Sequence, residues 1–446
     1  MDGKSKFLSL GKVLALNLCA EPKPDCYLGD SALRPGTLPL KEKLEITLDS
    51  EMATDIEFKQ WVSTDRSSLE SCMSSTEEFI EKFLDAIPNI LQHHFIAQSQ
   101  GKFLNDLKEK IKPGECIITG DFSENYSPVT QDAIQSVHWK KNQITIHPFV
   151  CYYRDESAAL KIFNFAVISD YLSHDSLAVF TFQHRLIKSL KEKIVNLRKA
   201  FYFSDGCSSQ YKNKQNSLNL RLHFEDFGVA AEWHFFASCH GKGPCDGLGG
   251  TIKREASVDS LRRVRKEGIQ TAFQLYEWAK VKFTNSIAVD FVTLEDIEDI
   301  RVKYGERFEK VPPLEGIKSC RCIIPLSKNI VMMKLFSVAP SCHYTYYGNQ
   351  STPLYEDLHG FITLSLVDSW HLAFVNERNK QERTVEVLVL QKSEVAQQFK
   401  FSSAARTVTV SLNNVIAVVN VIPIDSSTYK LNRGSIAYAK LEQEKR

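Results

Sequence analysis

The chain has 446 residues, 43% hydrophobic and 24% charged, with a net charge of +1. That is the composition of an ordinary soluble globular protein of two or three domains. No stretch approaches the roughly 18 consecutive apolar residues of a transmembrane helix, so no membrane partner is expected. Eleven irregularly spaced cysteines in a chain of this size do not read as a disulfide framework, and a reducing compartment is expected.

Residues 1–60 read as a poorly ordered leader, punctuated by Pro and Gly. Phe7–Ala20 is apolar, but Lys12 interrupts it and no small-residue cleavage site follows, so it is not read as a signal peptide. Residues 61–112 form a helical N-terminal segment: Trp61–Ser71 is polar, and over Ser75–Lys110 Phe79, Phe83, Ile87, Ile90 and Leu91 recur at helical spacing. Pro88 should kink or split that helix, and Lys112-Pro113-Gly114 should end it.

Residues 113–315 then alternate. Glu115–Asp121, Gln143–Tyr153 and Lys161–Ser169 read as strands and Ser176–Leu197 as a helix with a basic outer face. Ala200–Ser204 is a strand, Gln210–His223 a helix, Ala230–Ala237 a strand and Asp246–Lys266 a helix rich in Lys and Arg. The runs at Glu115, Ala200 and Ala230 are almost continuously apolar, as expected of strands covered on both faces. Gly268–Phe283 is a further amphipathic helix. From Ile317 short β-rich runs follow one another closely; residues 316–354 read as a linker with strands and residues 355–446 as a small barrel.

Two of the core strands run into acids. Asp121 closes the first, Asp205 follows the fourth, and Asp246 or Glu255 lies on the last helix of the series. Carboxylates brought from separate elements to one place are what a two-metal phosphoryl-transfer site requires, because two cations must be held about 3.5–4 Å apart. Each acid also has a plain structural reading: Asp121 as a cap, Asp205 and Asp246 as turn residues before glycine.

Other constellations are weaker. Cys239, His240 and Cys245, with His234, could ligate zinc, but their spacing is not that of a ribbon or finger, and a structural or site-lining role is preferred. Cys320 and Cys322 are read as core, and His93-His94 as a surface pair. No GxSxG elbow supports a serine hydrolase. Gly241–Gly250 matches neither dinucleotide nor P-loop spacing, so its glycines are read as allowing close backbone approach, either to a helix–sheet contact or to a phosphodiester.

The blocks GDFSENYS, QSVHW, TIHPFVCYY, VISDYLSHD, YFSDGCSSQYKNK, AEWHFFASCHGKGPCDGLGGTIKR and WHLAFVN resemble a family of transposable-element-derived proteins common in invertebrate genomes. That family is similar to the Mutator-like and bacterial insertion-sequence transposases. The resemblance runs from about Trp61 to the C-terminus, and the SDG-x-x-SQYKNK and HGKG-x-CDG blocks are its most specific parts. It implies a ribonuclease-H-like α/β core with a C-terminal small β-barrel of the SH3/Tudor type. It also implies a DDE/DDD catalytic triad mapping onto Asp121, Asp205 and Asp246, with Mg²⁺ or Mn²⁺ as cofactor. In one bacterial group the third acid stands seven residues before a Lys-Arg pair, as Asp246 does before Lys253-Arg254, which favours it over Glu255.

By the same resemblance, Lys212, Lys214, Lys253 and Arg254 would contact phosphates, and His240 would orient the scissile one. The function implied is a transposase-like nuclease and strand transferase acting on DNA, in the nucleus or else the cytoplasm, with room for a homo-oligomer and for a protein or chromatin partner at the terminal barrel. The alternative is a catalytically silent DNA- or chromatin-binding derivative. No zinc finger or helix-turn-helix for end recognition is visible, and among the marker aromatics of the last domain only Trp370 is evident.

Overall fold

The computed structural model describes residues 10–29, 31–50, 54–63, 67–129, 142–241, 243–263, 268–309, 311–339, 343–347, 355–366, 369–393, 395, 398–401, 407–424 and 427–431. The QSVHW block, residues 135–139, lies outside them. The chain divides into two compact units, Met1–Gln98 and Ser99–Arg446.

In the first unit the stretch read as a leader carries α1 (Leu10–Ala15), α2 (Pro24–Leu28) and α3 (Leu38–Ser50). Val13, Leu14 and Leu40 pack with Ile87 and Leu91 of α4 (Thr76–Lys110) in one small core. At 6 and 5 residues, α1 and α2 are too short for an apolar pattern to repeat, which is why the sequence hides them. Cys19 and Cys26 form a disulfide, a local pair rather than a framework, beside eight free cysteines among the described residues. Where a helical segment is expected to begin, β1 (Asp55–Ser63) and β2 (Ser67–Ser75) instead pair as an antiparallel ribbon with Trp61 opposite Leu69. Its serines and charges mask the two-residue alternation. Pro88 does not split α4. The ring removes one helix hydrogen bond, but Ile87 and Leu91 on either side of it are fully buried, and that packing outweighs the loss.

The second unit is mixed α/β. Its elements run β3 (Glu115–Gly120), β4 (Thr145–Arg154), β5 (Leu160–Ser169), α5 (Ser176–Lys193), β6 (Lys199–Ser204), α6 (Lys214–Arg221), α7 (His223–Phe227), β7 (Ala230–Phe235) and α8 (Pro244–Arg262). Then come α9 (Ala272–Lys282), β8 (Ala288–Val292), α10 (Leu294–Glu309), β9 (Cys322–Ser327), β10 (Ile330–Lys334) and β11 (His343–Tyr346). The strands make one nine-stranded sheet in the order β11-β10-β9-β7-β6-β3-β4-β5-β8. β3, β4 and β5 are antiparallel neighbours; β6 lies parallel to β3, and β7 parallel to β6. β8 joins β5 in parallel, and β9 joins β7 antiparallel.

The apolar faces of β3, β6 and β7 are buried on both sides, as their sequences predict. On one face Phe180, Phe182, Leu186 and Leu190 of α5 and Ile297 of α10 cover the sheet. On the other, Ile252 and Ala256 of α8 and Leu275 and Ala279 of α9 pack on Ile146, Ala166 and Ile168. The last turns of α4 cover the same sheet through Phe103, Leu104 and Leu107, beside Cys245.

The C-terminal strands are β12 (Phe361–Leu366), β13 (Ser369–Asn379), β14 (Thr384–Val389), β15 (Gln391–Lys392), β16 (Gln398–Lys400), β17 (Thr407–Ser411), β18 (Val415–Val418), β19 (Val421–Pro423) and β20 (Thr428–Leu431). They form two antiparallel sheets, β17-β14-β13-β12-β18 and β15-β16-β20-β19. Among the described residues neither closes into the expected barrel. Phe361 and Leu372 of one instead share a core with Phe399 and Tyr429 of the other, so inward-facing alternate residues are buried by a second sheet rather than by wrapping. No helix among the described residues is long and apolar enough to cross a membrane.

Candidate active site

β3 and β6 are adjacent and parallel, with Thr119 opposite Phe203, so the residues following them leave the sheet side by side. Those residues are Asp121 and Asp205. Asp246 is the third residue of α8, whose first turn is tied to β3 by the Cys245 thiol, 3.3 Å from the Thr119 carbonyl oxygen. Farther along, Lys253 Nζ donates to the Glu124 carbonyl at 3.2 Å, and Tyr126 Oη and Ser257 Oγ are 3.2 Å apart. The helix carrying the third acid is thus fastened along the loop that follows the first.

Glycines permit this approach. A Cβ on Gly249 would lie 1.8 Å from Ser123 Oγ, and one on Gly241 would lie 2.9 Å from Asp205 Cβ. A side chain on Gly241 would displace Asp205, and one on Gly249 would make Ser123 turn its hydroxyl away and give ground. The reading of this stretch as a close-approach segment therefore has a definite object, the contact of α8 with the loop after β3.

The acids share one electrostatic field. Burial, then the charges of Asp205 and Asp246, push the Asp121 carboxyl up to about 7, and only the Phe122 backbone N–H pulls the other way. Burial also raises Asp205, against the hydrogen bond its Oδ1 accepts from the Cys207 N–H at 3.0 Å. Asp246 Oδ2 accepts from the Gly243 N–H at 2.8 Å, capping α8. Asp205 therefore also fills its plain role in a turn, whereas Asp246 caps a helix instead of standing in a turn. Glu255 lies 3.5 Å from Lys282 and 3.4 Å from Arg254 and is not among the charges that shift Asp121.

An all-carboxylate donor set is what a hard divalent cation takes. Among the described residues, however, no three His, Cys, Asp or Glu side chains are drawn together closely enough to hold a metal ion. Asp121 feels the charges of Asp205 and Asp246, but the three are not closed into a ligand set.

The remaining expected residues fall into two groups. Lys253 is half-buried over the loop after Asp121, and Arg254 and His240 are exposed, Arg254 next to Glu255 on α8 and His240 in the segment after β7. Lys212 and Lys214 turn elsewhere: Lys212 Nζ donates to the Lys318 carbonyl at 2.8 Å, and Lys214 Nζ to that of Val311 at 3.0 Å. Burial, with Arg321 nearby, lowers Lys212 to about 8. The four zinc candidates do not converge. His234 is buried between Glu232, 3.1 Å from its Nε2, and Ser337, 2.7 Å from its Nδ1, while Cys245 is held on Thr119 and Cys239 is exposed. Cys320 and Cys322 are core.

Sequence reasoning missed what lies beneath the acids. His147 of β4 and Tyr211 are both buried, and His147 Nε2 is 2.7 Å from Tyr211 Oη. The Phe122 ring packs edge-on to His147 at 4.3 Å and stacks on His174 at 4.2 Å, and His174 Nε2 is 2.8 Å from Asn125 Oδ1. The one available signal was a histidine inside an otherwise apolar strand, TIHPFVCYY.

A family model described as "Domain of unknown function (DUF8701)" matches residues 100–337, more than half of the chain. A second, "Domain of unknown function (DUF8700)", matches residues 2–91. No curated protein matches the sequence.

Proposed function

The chain belongs to the DUF8701 family of domains of unknown function, and we propose that this domain is a DDE/DDD transposase-like nuclease and strand transferase with a ribonuclease-H-like core. Three antiparallel strands followed by two parallel ones, in the order β5-β4-β3-β6-β7, support that core. The single observation that carries the catalytic reading is the convergence of three acids from three separate elements: Asp121 and Asp205 follow adjacent parallel strands, Asp246 opens the helix tied to the first of them, and the charges of Asp205 and Asp246 both act on the Asp121 carboxyl. Asp121 and Asp205 are half-buried and Asp246 is exposed, and partly desolvated carboxylates beside other negative charges are costly unless a cation neutralises them.

Asp121, Asp205 and Asp246 would hold Mg²⁺ or Mn²⁺. Bound there, the cations would activate water or a 3′-hydroxyl and stabilise the leaving oxygen. The chain's own groups supply position. Asp121, the acid on which the charges of the other two act, would be the shared ligand. On this reading Lys253, Arg254 and His240 would meet DNA phosphates, whereas Lys212 and Lys214 brace the segment 311–318. The two C-terminal sheets, with their shared core, are proposed as an SH3/Tudor-like module for a protein or chromatin partner. Nuclear DNA is the proposed substrate.

The test is incubation of the purified chain with labelled DNA and Mn²⁺ or Mg²⁺. Metal-dependent cleavage or joining that Asp205→Ala abolishes is the expected result; no turnover, or equal turnover in the variant, overturns it. One observation favours a second reading, the lack among the described residues of a closed metal-ligand trio. On that reading the chain is a silent DNA- or chromatin-binding derivative, and salt-dependent DNA binding indifferent to Asp121→Ala, without turnover, would select it.

A further inference from the structure

The ribbon of β1 and β2 leaves a long strand edge open. Its register runs unbroken from the Asp55–Ser75 pair to the Ser63–Ser67 pair, and among the described residues neither strand pairs with a third. One face is covered: Ile56, Phe58 and Val62 are half-buried, and the Phe58 ring lies 5.3 Å from that of Phe79 on α4. The other face of β1 carries Asp55, Glu57, Lys59 and Trp61, all exposed.

One bond sets the direction of the backbone groups. The Thr76 N–H donates to the Thr54 carbonyl at 3.1 Å, one position beyond the Asp55–Ser75 pair. In an antiparallel ladder, hydrogen-bonded and non-hydrogen-bonded pairs alternate. The even-numbered residues of β1 therefore bond to β2, and Asp55, Glu57, Lys59 and Trp61 turn their N–H and C=O groups outward. A row of unpaired groups is a template for another strand. Proteins blunt such edges with proline, a bulge or a very short strand; β1 is nine residues long and has neither proline nor bulge, only its charges.

Those charges select the partner. When two copies of β1 pair antiparallel about a two-fold axis, residues on the same face stand opposite one another only in registers centred on a residue. Centring on Lys59 sets Lys59 against Lys59, and centring on Glu57 sets Glu57 against Glu57. Centring on Phe58 sets Glu57 of each copy opposite Lys59 of the other and opposes no like charges. Neither side chain has an ion-pair partner among the described residues of its own chain, so both are free for the other copy. Opposite charges across a ladder stabilise it, and like charges directly opposite destabilise it. The outward residues of β2, namely Ser67, Leu69, Ser71, Met73 and Ser75, are uncharged and make no such selection.

We propose that the free edge of β1 is a homodimer interface, where two copies of the chain join in the register centred on Phe58 to make a four-stranded sheet, β2-β1-β1-β2. A single strand pair is a small interface, so the dimer is weak and salt-sensitive. This assignment does not rest on the nuclease reading.

Sedimentation equilibrium of the full-length chain tests it. The wild type should dimerise with rising concentration, and less at high salt. Lys59→Glu, which opposes acids at both positions, and Glu57→Lys, which opposes lysines, should each weaken the dimer about 10-fold or more. An equimolar mixture of the two variants should dimerise like wild type, because every Glu then meets a Lys again. Both side chains are exposed, so the variants should unfold at the wild-type midpoint. Hydrogen exchange locates the contact: the amides of Glu57, Lys59 and Trp61 should gain protection as the dimer forms. A wild type that stays monomeric up to its solubility limit overturns the proposal. So does a dimer indifferent to both substitutions, which would place the contact on β2 or elsewhere, or a mixture that fails to recover.

Discussion

Gly249 of α8 stands against Ser123, two residues beyond Asp121, so closely that a methyl group on the glycine would lie 1.8 Å from Ser123 Oγ and 3.1 Å from Ser123 Cβ. The distance between the helix of the third acid and the strand of the first is thus set by a missing side chain. Gly249→Ala should cost about 1–3 kcal/mol in urea unfolding, the usual range for overpacking. It should also lower DNA cleavage by more than that loss explains, because Asp246 moves with the helix. Ser123→Gly in the same chain should return both toward wild type. An alanine variant with unaltered stability and activity would show that the contact does not set the spacing of the acids.

The elevated Asp121 carboxyl gives stability a definite dependence on pH in the metal-free protein. In the unfolded chain it ionises near its ordinary 3.8, whereas in the fold it keeps its proton to about 7. The folded state therefore binds more protons between those values, so this group's contribution to stability falls as pH rises through that window and is fully lost above it. Asp121→Asn carries no such penalty. With chelator present the variant should exceed wild type at pH 8 by on the order of 2 kcal/mol, allowing for the solvent that reaches this group. The advantage should shrink to less than about half of that at pH 5. Urea titrations at the two pH values measure it, and a variant no more stable at pH 8 than wild type would remove the electrostatic argument for one shared site.

The central strands were legible because burial on both faces leaves a nearly unbroken apolar run, as in Cys116–Ile118 and Phe201–Phe203. The acids at their ends were legible because a polar residue ends such a run abruptly. The places of the outer strands were not. β9 falls in a run read as a strand of a linker, yet it joins the large sheet beside β7, and β8 has half-buried residues with little contrast between faces, so nothing in Ala288–Val292 announces a place beside β5. His147 and Tyr211 escaped for a different reason: their partners lie 64 positions apart in the chain, and a hydrogen bond closed by tertiary packing leaves no spacing to read. The orientation of Lys212 escaped likewise, since the carbonyl that holds it belongs to residue 318.

That orientation separates the basic residues into two experimental classes. Arg254 is exposed on α8, the helix that carries Asp246, so on the proposed reading Arg254→Ala should weaken DNA binding at low salt and reduce the slope of log affinity against log salt by about 1. Lys212 is buried, with its ammonium on the Lys318 carbonyl and over the Phe235 ring at 5.4 Å. Lys212→Ala should leave the salt slope unchanged and instead lower the unfolding midpoint, because the carbonyl loses its donor. A changed salt slope in Lys212→Ala would mean that the side chain leaves its carbonyl to meet DNA.

The identity of the third acid can be decided by comparing α8 variants. Asp246 caps the helix through the Gly243 N–H and acts on Asp121, whereas Glu255 is occupied by Lys282 and Arg254. Asp246→Asn keeps an oxygen able to accept from Gly243, so the helix start is preserved and only the charge is lost. Cleavage should then fall about 10³-fold, roughly 4 kcal/mol of transition-state stabilisation, with little change in unfolding midpoint. Glu255→Gln should cut at nearly the wild-type rate and lose at most about 1 kcal/mol of stability from its partly exposed ion pairs. The reverse pattern, with Glu255→Gln inactive and Asp246→Asn active, would move the third ligand about two and a half helical turns along α8 and require the helix to rotate on the sheet before a metal could be shared with Asp121.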